Sequence, residues 1–429
     1  MLDRELNSTS SSKQKNYVLG LLVVVYTFNF IDRQILAILM PAIKFEFNID
    51  DWVLGFLSGP AFALFYATLG IPIALLADRW NRRNLIAISL TLWSAMTAFS
   101  GMASNIIQLS LARIGVGIGE AGCSPAAHSM ISDYFPPAER STAMGIFTLG
   151  ISIGTMLAYL TGGWVVENIG WREAFLIVGI PGILLALIVR ITVKEPIRGI
   201  SEGRIDKGDL PHVGSVIKLL LKKKSFVHMA VGSGLASFNG YAVVNFFPSF
   251  LVRSHGMRPS EIGLYLGLIF GFAAGLGYVG GGILADYLGK INHRYALWGV
   301  SLTTLFAWLF LFPVYLSENS TITIFLFIIP AIFSNFYLAT TFAQTQSLVG
   351  LRMRGVASAL VLFIINIIGL GMGPQITGIL SDLLSSDYGM ESMRYSLLIV
   401  GAIAGPWTAF HFFLAGRSIE KDLAKAKEY

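Results

Sequence analysis

Long apolar stretches alternate with short polar ones from near the first residue of this chain to near its last. A helix rises 1.5 Å per residue, so about 20 apolar residues cover a hydrocarbon core of about 30 Å. Twelve stretches meet that length, at residues 17–41, 52–76, 84–104, 107–131, 142–164, 171–193, 226–251, 260–285, 295–316, 321–347, 355–380 and 392–416. The pattern predicts an all-α membrane protein of twelve transmembrane helices. Its parts are a polar tail at 1–16, six helices over 17–193, a polar linker at 194–225, six helices over 226–416 and a second tail at 417–429.

A short motif occurs twice. Leu-Ala-Asp-Arg-Trp-Asn-Arg-Arg runs from Leu76 to Arg83, and Leu-Ala-Asp-Tyr-Leu-Gly-Lys runs from Leu284 to Lys290. Asp78 and Asp286 lie about half the chain apart, and each follows a glycine-dotted apolar stretch and opens a basic loop. The halves echo again after spans 4 and 10, where Arg140 and Arg354 occupy nearly matching positions, and in glycines at Gly150, Gly154, Gly369 and Gly373. This is an internal duplication. Two pseudo-symmetric six-helix bundles around one central cavity are a common architecture for alternating-access transporters. Span 8 carries Gly263, Gly267, Gly271 and Gly275 in four-residue register, a stripe suited to close helix packing or to a rocking hinge.

Composition agrees with a membrane location. Hydrophobic residues make up 54% of the chain and charged residues 13%, with a mean hydropathy of +0.67. Of the 31 lysines and arginines, the loops on one side hold only Lys44, Arg172, Arg253, Arg258 and Arg394, while most of the rest crowd the other side. That bias places both termini in the cytoplasm and the protein in the plasma membrane, the inner membrane of a bacterium. The net charge of +6 is therefore read as a topology signal and not as nucleic-acid binding. The first 16 residues lack the pattern of a cleavable signal peptide. Lys222, Lys223 and Lys224 end the linker after the short amphipathic piece Val216–Leu221, which suits a solvated connection beside an anionic leaflet. Cys123 is the sole cysteine, so the chain holds no internal disulfide and no cysteine-based metal cluster, and no metal site is expected.

The duplicated loops, Ala74–Arg83 and Gly282–Lys290, resemble the repeated loop motif of the major facilitator superfamily, Gly-x-Leu-Ala-Asp-Arg-x-Gly-Arg-Lys. Arg113 followed by Gly117 resembles that family's fourth-helix motif. Ala74 and Asn81 stand where the family has glycine, and Tyr287 where it has arginine, which makes the two loops unequal. The resemblance implies a cytoplasmic gate built from Asp78, Arg79, Arg82, Arg140, Asp286 and Arg354, in which Asp78 meets the start of span 11 and Asp286 meets span 5. A carboxylate at a helix N-terminus gains about 0.3 to 1 kcal/mol, which supports such a latch. A narrower resemblance follows from Tyr26-Thr-Phe-Asn29-Phe-Ile-Asp32-Arg33, Gly117-Ile-Gly119-Glu120-Ala121, Asp78-Arg79-Trp80-Asn81-Arg82 and Trp93-Ser94-Ala95. These segments look like those of Spinster-type transporters. That likeness implies an amphiphilic lipid substrate of the lysophospholipid or sphingoid phosphate class.

The charges inside the spans make a separate case. A charge near the bilayer centre costs about 2.5 to 3.5 kcal/mol on insertion scales, so it needs a partner or a wet cavity. Asp32, Arg33, Arg113 and Glu120 are such charges, all in spans 1 and 4. Arg113 and Glu120 are two turns apart on one face, and Asn29 and Arg33 one turn apart on another. An Arg33–Glu120 contact with Asn29 alongside is expected, as a static pair or as a working one. Arginine grips phosphate or carboxylate bidentately, so an anionic substrate that competes for Arg33 would favour a proton on Glu120. Export and proton uptake would then be coupled, with the proton as coupling ion and no cofactor. Asp32 lies about 100° around the helix from Arg33 and is placed to serve Arg113 or as a second proton site.

The second half has no charge in the middle of its spans. Its polar and aromatic groups, Asn239, Tyr241, Asn245, Phe336, Tyr337, Gln344 and Asn366, are candidates to line the cavity. A cavity charged on one wall and apolar on the other suits an amphiphile. His128 and His411 read as packed histidines. The chain shows no Ser/His/Asp set, no His-Glu-x-x-His and no phosphate loop, which argues against an enzyme. A proton-coupled carrier of small organic anions or drugs is the second expectation, and a non-transporting sensor the third. A monomer is expected.

Overall fold

The computed structural model describes residues 12–196, 213–350 and 353–426, which are helical with no strand among them. The helices are α1 (Ser12–Phe47), α2 (Asp51–Ser58), α3 (Pro60–Arg79), α4 (Arg82–Gly101), α5 (Ile106–Glu120), α6 (Cys123–Tyr134), α7 (Pro137–Asn168), α8 (Trp171–Thr192), α9 (Val213–Leu221), α10 (Lys224–His255), α11 (Pro259–Leu268), α12 (Ala274–Ile291), α13 (His293–Leu309), α14 (Leu311–Leu316), α15 (Ser320–Phe333), α16 (Tyr337–Ser347), α17 (Arg354–Ile364), α18 (Gly373–Tyr388) and α19 (Ser392–Ala426). Eleven helical runs are long and apolar enough to cross a membrane. The last, Arg354–Ala424, is two spans, because a 3₁₀ turn at Gly389–Glu391 with Gly389 at φ 53° folds the chain back there. Residues 1–11, 197–212 and 351–352 of the tail, linker and loop lie outside the described residues.

Local chemistry sets the helix ends. Asn81, Asn105 and Asn319 accept the backbone N–H three residues on, and Asn292 accepts that of Arg294, so α4, α5, α15 and α13 start on side-chain caps. Gly256, at φ 60°, closes α10 in the left-handed conformation that glycine adopts without strain. Several spans are broken inside the apolar stretch. π-Helical turns at Ile269–Ala273 and Ile365–Met372 interrupt spans 8 and 11, and a bend at Ser334–Phe336 separates α15 from α16. In a membrane such interruptions are tolerated where protein satisfies the freed backbone groups.

The described chain forms two compact units, one from residues up to Leu36 with Leu64–Lys207, the other from Ala37–Ala63 with Gly208–Tyr429. In the first, α4 packs against α5 and α8. Gly119 lies so close to α4 that a methyl group there would sit 2.7 Å from the Trp93 backbone nitrogen. Gly150 and Gly154 of α7 lie against the Val23–Phe30 stretch of α1 in the same way.

In the second unit α10 runs along α19, which also packs on α13, and the π-turn of span 11 rests on α10. In span 8, Gly277 and Gly281 lie close against Ile332 and Phe336 of span 10. This unit also takes in the end of α1 and all of α2. Gly55 and Gly59 of α2 come within 2.5 and 2.6 Å, measured from an added Cβ, of the Pro374 and Gly371 carbonyls. The Asp382 carboxylate caps α2 by accepting the N–H groups of Asp51 (2.9 Å) and Trp52 (2.7 Å). Asp51 is itself buried and accepts from Arg253 at 2.5 and 2.6 Å, from Lys44 at 2.6 Å and from Ser381 at 2.7 Å.

Candidate functional site

The buried charges of the first unit gather where α1, α4 and α5 meet. Arg33, 8% exposed, donates from Nε (3.1 Å) and Nη2 (2.6 Å) to Oε2 of Glu120, which is fully buried. The Arg33 guanidinium also lies 4.9 Å from the Phe30 ring centre and 4.8 Å from that of Tyr66, so two aromatic faces and one carboxylate hold it. The other Glu120 oxygen, Oε1, makes no hydrogen bond among the described residues. Asn29 is buried beside Glu120, its amide atoms likewise unpaired.

Asp32 points elsewhere. Its carboxylate is wholly buried and lies toward Trp93 and Thr97 of α4, yet among the described residues neither of its oxygens, the Trp93 Nε1 nor the Thr97 hydroxyl makes a hydrogen bond of good geometry. Arg113 approaches Asp32 through Nη1, which donates at 3.2 Å to the Asp32 backbone carbonyl and not to its carboxylate. A buried polar group without a partner is uncommon and calls for an explanation. Here a carboxyl group, an indole N–H, an amide and a hydroxyl are all left open within one cluster.

The residues assigned to the cytoplasmic gate separate into two kinds. Arg82 is a structural tie, 1% exposed. It pairs with Asp133, donates to Glu195 Oε1 (2.8 Å), Ser129 Oγ (2.9 Å) and the Pro196 carbonyl (2.9 Å), and so joins the ends of spans 4 and 6 to the loop. Glu195 completes the tie by accepting the Arg83 N–H at 2.9 Å. Arg140 donates to the Ser132 carbonyl at 2.9 Å. Arg79, Asp286 and Arg354 have exposed side chains. The side chain of Asp78, at the end of α3, lies outside the described residues.

The second-unit candidates also differ in their surroundings. The Gln344 amide meets His293 Nδ1 at 3.0 Å, Asn245 donates to its own helix at the Tyr241 carbonyl, and Phe336 packs behind Gly281. Asn239 is beside Gly401 with its Oδ1 unpaired, Tyr337 opens α16 after the bend, and Asn366 sits on the π-turn of span 11. His128 packs edge-on against Phe147, while His411 shares a 3.0 Å Nδ1–Nδ1 contact with His228.

Sequence reasoning missed several of these partners. Asp51, Asp133 and Arg253 sit at or near helix ends and Glu195 just beyond one, where charge carries little signal, while Asp382 lies inside α18. Their common mark is a partner distant in sequence that folding alone brings into reach.

Twelve apolar helices in two halves, with Asp32, Arg33, Arg113 and Glu120 buried inside spans 1 and 4, have the form of a membrane transporter. The family model described as Major Facilitator Superfamily matches residues 22–374, and the chain belongs to that family. It is 33% identical over 411 residues to an MFS-type efflux pump of Mycolicibacterium smegmatis, covering 94% of this chain and 93% of the relative. It is 27% identical to protein spinster homolog 1 of Xenopus laevis, over 97% of this chain and 83% of that one. The fold matches the crystal structure of a bacterial homologue of the human lysosomal transporter Spinster, in an inward-facing and unoccupied conformation. That match has a TM-score of 0.87 at 31% identity and covers 96% of this chain and 99% of the other. This chain is therefore a transporter of the superfamily, similar to Spinster-type members along nearly its whole length, and not an enzyme.

Proposed function

We propose that this transporter works by alternating access and exchanges protons for an amphiphilic anion with a phosphate or carboxylate headgroup, of the lysophospholipid or sphingoid phosphate class. One observation carries the reading: Arg33 is held by Glu120 through a single oxygen, with the second oxygen unpaired. An oxyanion that competes with Glu120 for Arg33 can take the planar guanidinium bidentately. When the anion takes Arg33, Glu120 loses the cation hydrogen-bonded to it, and a buried carboxylate deprived of its paired cation is favoured to take a proton. Asp32, buried with no hydrogen bond to its oxygens, is a second proton site. The resemblance of the segments around Asn29–Arg33 and Gly117–Ala121 to Spinster-type transporters supports the lipid class.

The protein acts as a monomer in the plasma membrane, in a bacterium the inner one, with both termini cytoplasmic. The loops at Asp78 and Asp286 serve its cytoplasmic gate. Binding of a fluorescent anionic lysolipid to the purified protein tests the assignment. Arg33→Met should weaken binding at least tenfold while a zwitterionic lysolipid binds weakly to both proteins; equal anionic binding to parent and variant would refute it. The similarity to an efflux pump favours small organic anions or drugs as a second reading, and competition by such compounds in the same assay would select it.

A further inference from the structure

We infer that the ends of α13 and α19 form a binding site for an anionic phospholipid headgroup, outside the transport machinery. Trp298 of α13 and Phe413 of α19 stack with ring centres 5.6 Å apart and planes 17° apart, and the indole N–H donates to the Phe413 carbonyl at 3.2 Å. The helices meet closely enough here that a methyl group on Gly416 would lie 2.6 Å from the Trp298 ring. The stack is therefore a fixed platform. Two guanidiniums attend it: Arg294 is 5.4 Å from the Trp298 ring centre and Arg417 is 6.0 Å from that of Phe413.

Neither guanidinium makes an ion pair or a hydrogen bond among the described residues, and the Arg294 Nε is buried without a partner. Every buried or half-buried arginine of the cluster described above has an oxygen acceptor; these two do not. Phe413 and the adjoining Tyr295 are exposed, at 41% and 43%, so the platform faces the surroundings of the helices. Both arginines lie at the same membrane end, Arg294 at the start of span 9 and Arg417 just past span 12. Aromatic rings at that depth seat in the headgroup region, and arginines beside them offer bidentate donors to phosphate. The charge, the open donors and the lipid-facing rings together select a phospholipid of net negative charge in the cytoplasmic leaflet, given the orientation proposed above.

Trp298 is its own reporter. The full chain is reconstituted in nanodiscs of phosphatidylcholine containing a minor share of brominated phosphatidylglycerol or brominated phosphatidylcholine, and the Trp298 emission is taken as the difference from Trp298→Phe. Brominated phosphatidylglycerol should quench that component preferentially, with each arginine contributing roughly fivefold to the preference. Arg417→Gln should lower the preference and Arg294→Gln with Arg417→Gln should abolish it, while quenching by brominated phosphatidylcholine stays unchanged and reports an intact fold. Because Arg417 is exposed, its single variant keeps the test valid even where the double variant fails to fold. Equal quenching by the two lipids in the parent protein would overturn the inference. So would a preference that survives the double substitution, or one lost on Lys222→Gln with Lys224→Gln alone. Both leaflets of a nanodisc carry the same lipid and no transport is read, so this outcome is independent of the proposed orientation and function.

Discussion

Replacing Arg33 by methionine removes two hydrogen bonds to one buried oxygen, at 2.6 and 3.1 Å, and leaves Glu120 without its hydrogen-bonded counter-charge. Breaking a buried pair from one side costs about 3 to 5 kcal/mol. Glu120→Gln leaves the cation instead, but the Phe30 and Tyr66 faces offset part of that by about 1 to 2 kcal/mol. The Arg33→Met penalty is therefore the larger of the two, and the double variant costs less than the sum. Thermal unfolding of the four proteins in detergent gives the cycle, with a coupling energy expected near the upper end of the 0.5 to 3 kcal/mol range for contacting residues. The sign with pH is fixed. A protonated Glu120 needs no counter-ion, so the Arg33→Met penalty is largest at neutral pH and shrinks as pH falls. A coupling below about 0.5 kcal/mol, or a penalty indifferent to pH, would refute the reasoning.

Three further outcomes follow from the geometry. Arg82→Ala strips four acceptors from a side chain that is 1% exposed and should cost about 3 to 5 kcal/mol in unfolding experiments; Arg82→Lys should recover only a minor part of it, since a point charge cannot serve four acceptors at once. Asp51→Asn weakens the bonds from Arg253, Lys44 and Ser381, should cost about 2 to 3 kcal/mol, and should let α2 separate from α18, read as increased distance between spin labels on those two helices. Gly119→Ala drives a methyl group into the Trp93 backbone and should cost about 1 to 3 kcal/mol, whereas Gly20→Ala meets nothing within 4 Å and should be neutral to within about 0.5 kcal/mol, both by thermal melting.

What the sequence shows and what it hides divide along physical lines. The spans are legible because the bilayer demands length and apolarity, and the structure's eleven long runs, with the last folded at Gly389–Glu391, reproduce them. Asp32, Arg33, Arg113 and Glu120 stand out because charge inside a span is costly. Their spacing also points to the right face, since Arg33 and Glu120 do meet. The π-turns at Ile269–Ala273 and Ile365–Met372 leave no periodic trace, because an apolar stretch reads the same whichever carbonyl each N–H selects. Arg113 could be paired with Asp32 by position, but only coordinates reveal that it takes the backbone carbonyl and leaves the carboxylate open. Arg82 looks like a gate charge in its loop, and its burial against Asp133 and Glu195 depends on segments about 50 and 110 residues away that meet only on folding.

In the proposed cycle Arg33 and Glu120 exchange an anion for a proton. Proteoliposomes loaded with a pH-sensitive dye test it directly, with a panel of anionic lysolipids and small organic anions applied to the parent protein and to Glu120→Gln. A substrate-dependent proton flux is expected in the parent and none in Glu120→Gln, which still binds the anion. A flux undiminished by Glu120→Gln would contradict it, as would transport of the anion with no proton movement at all.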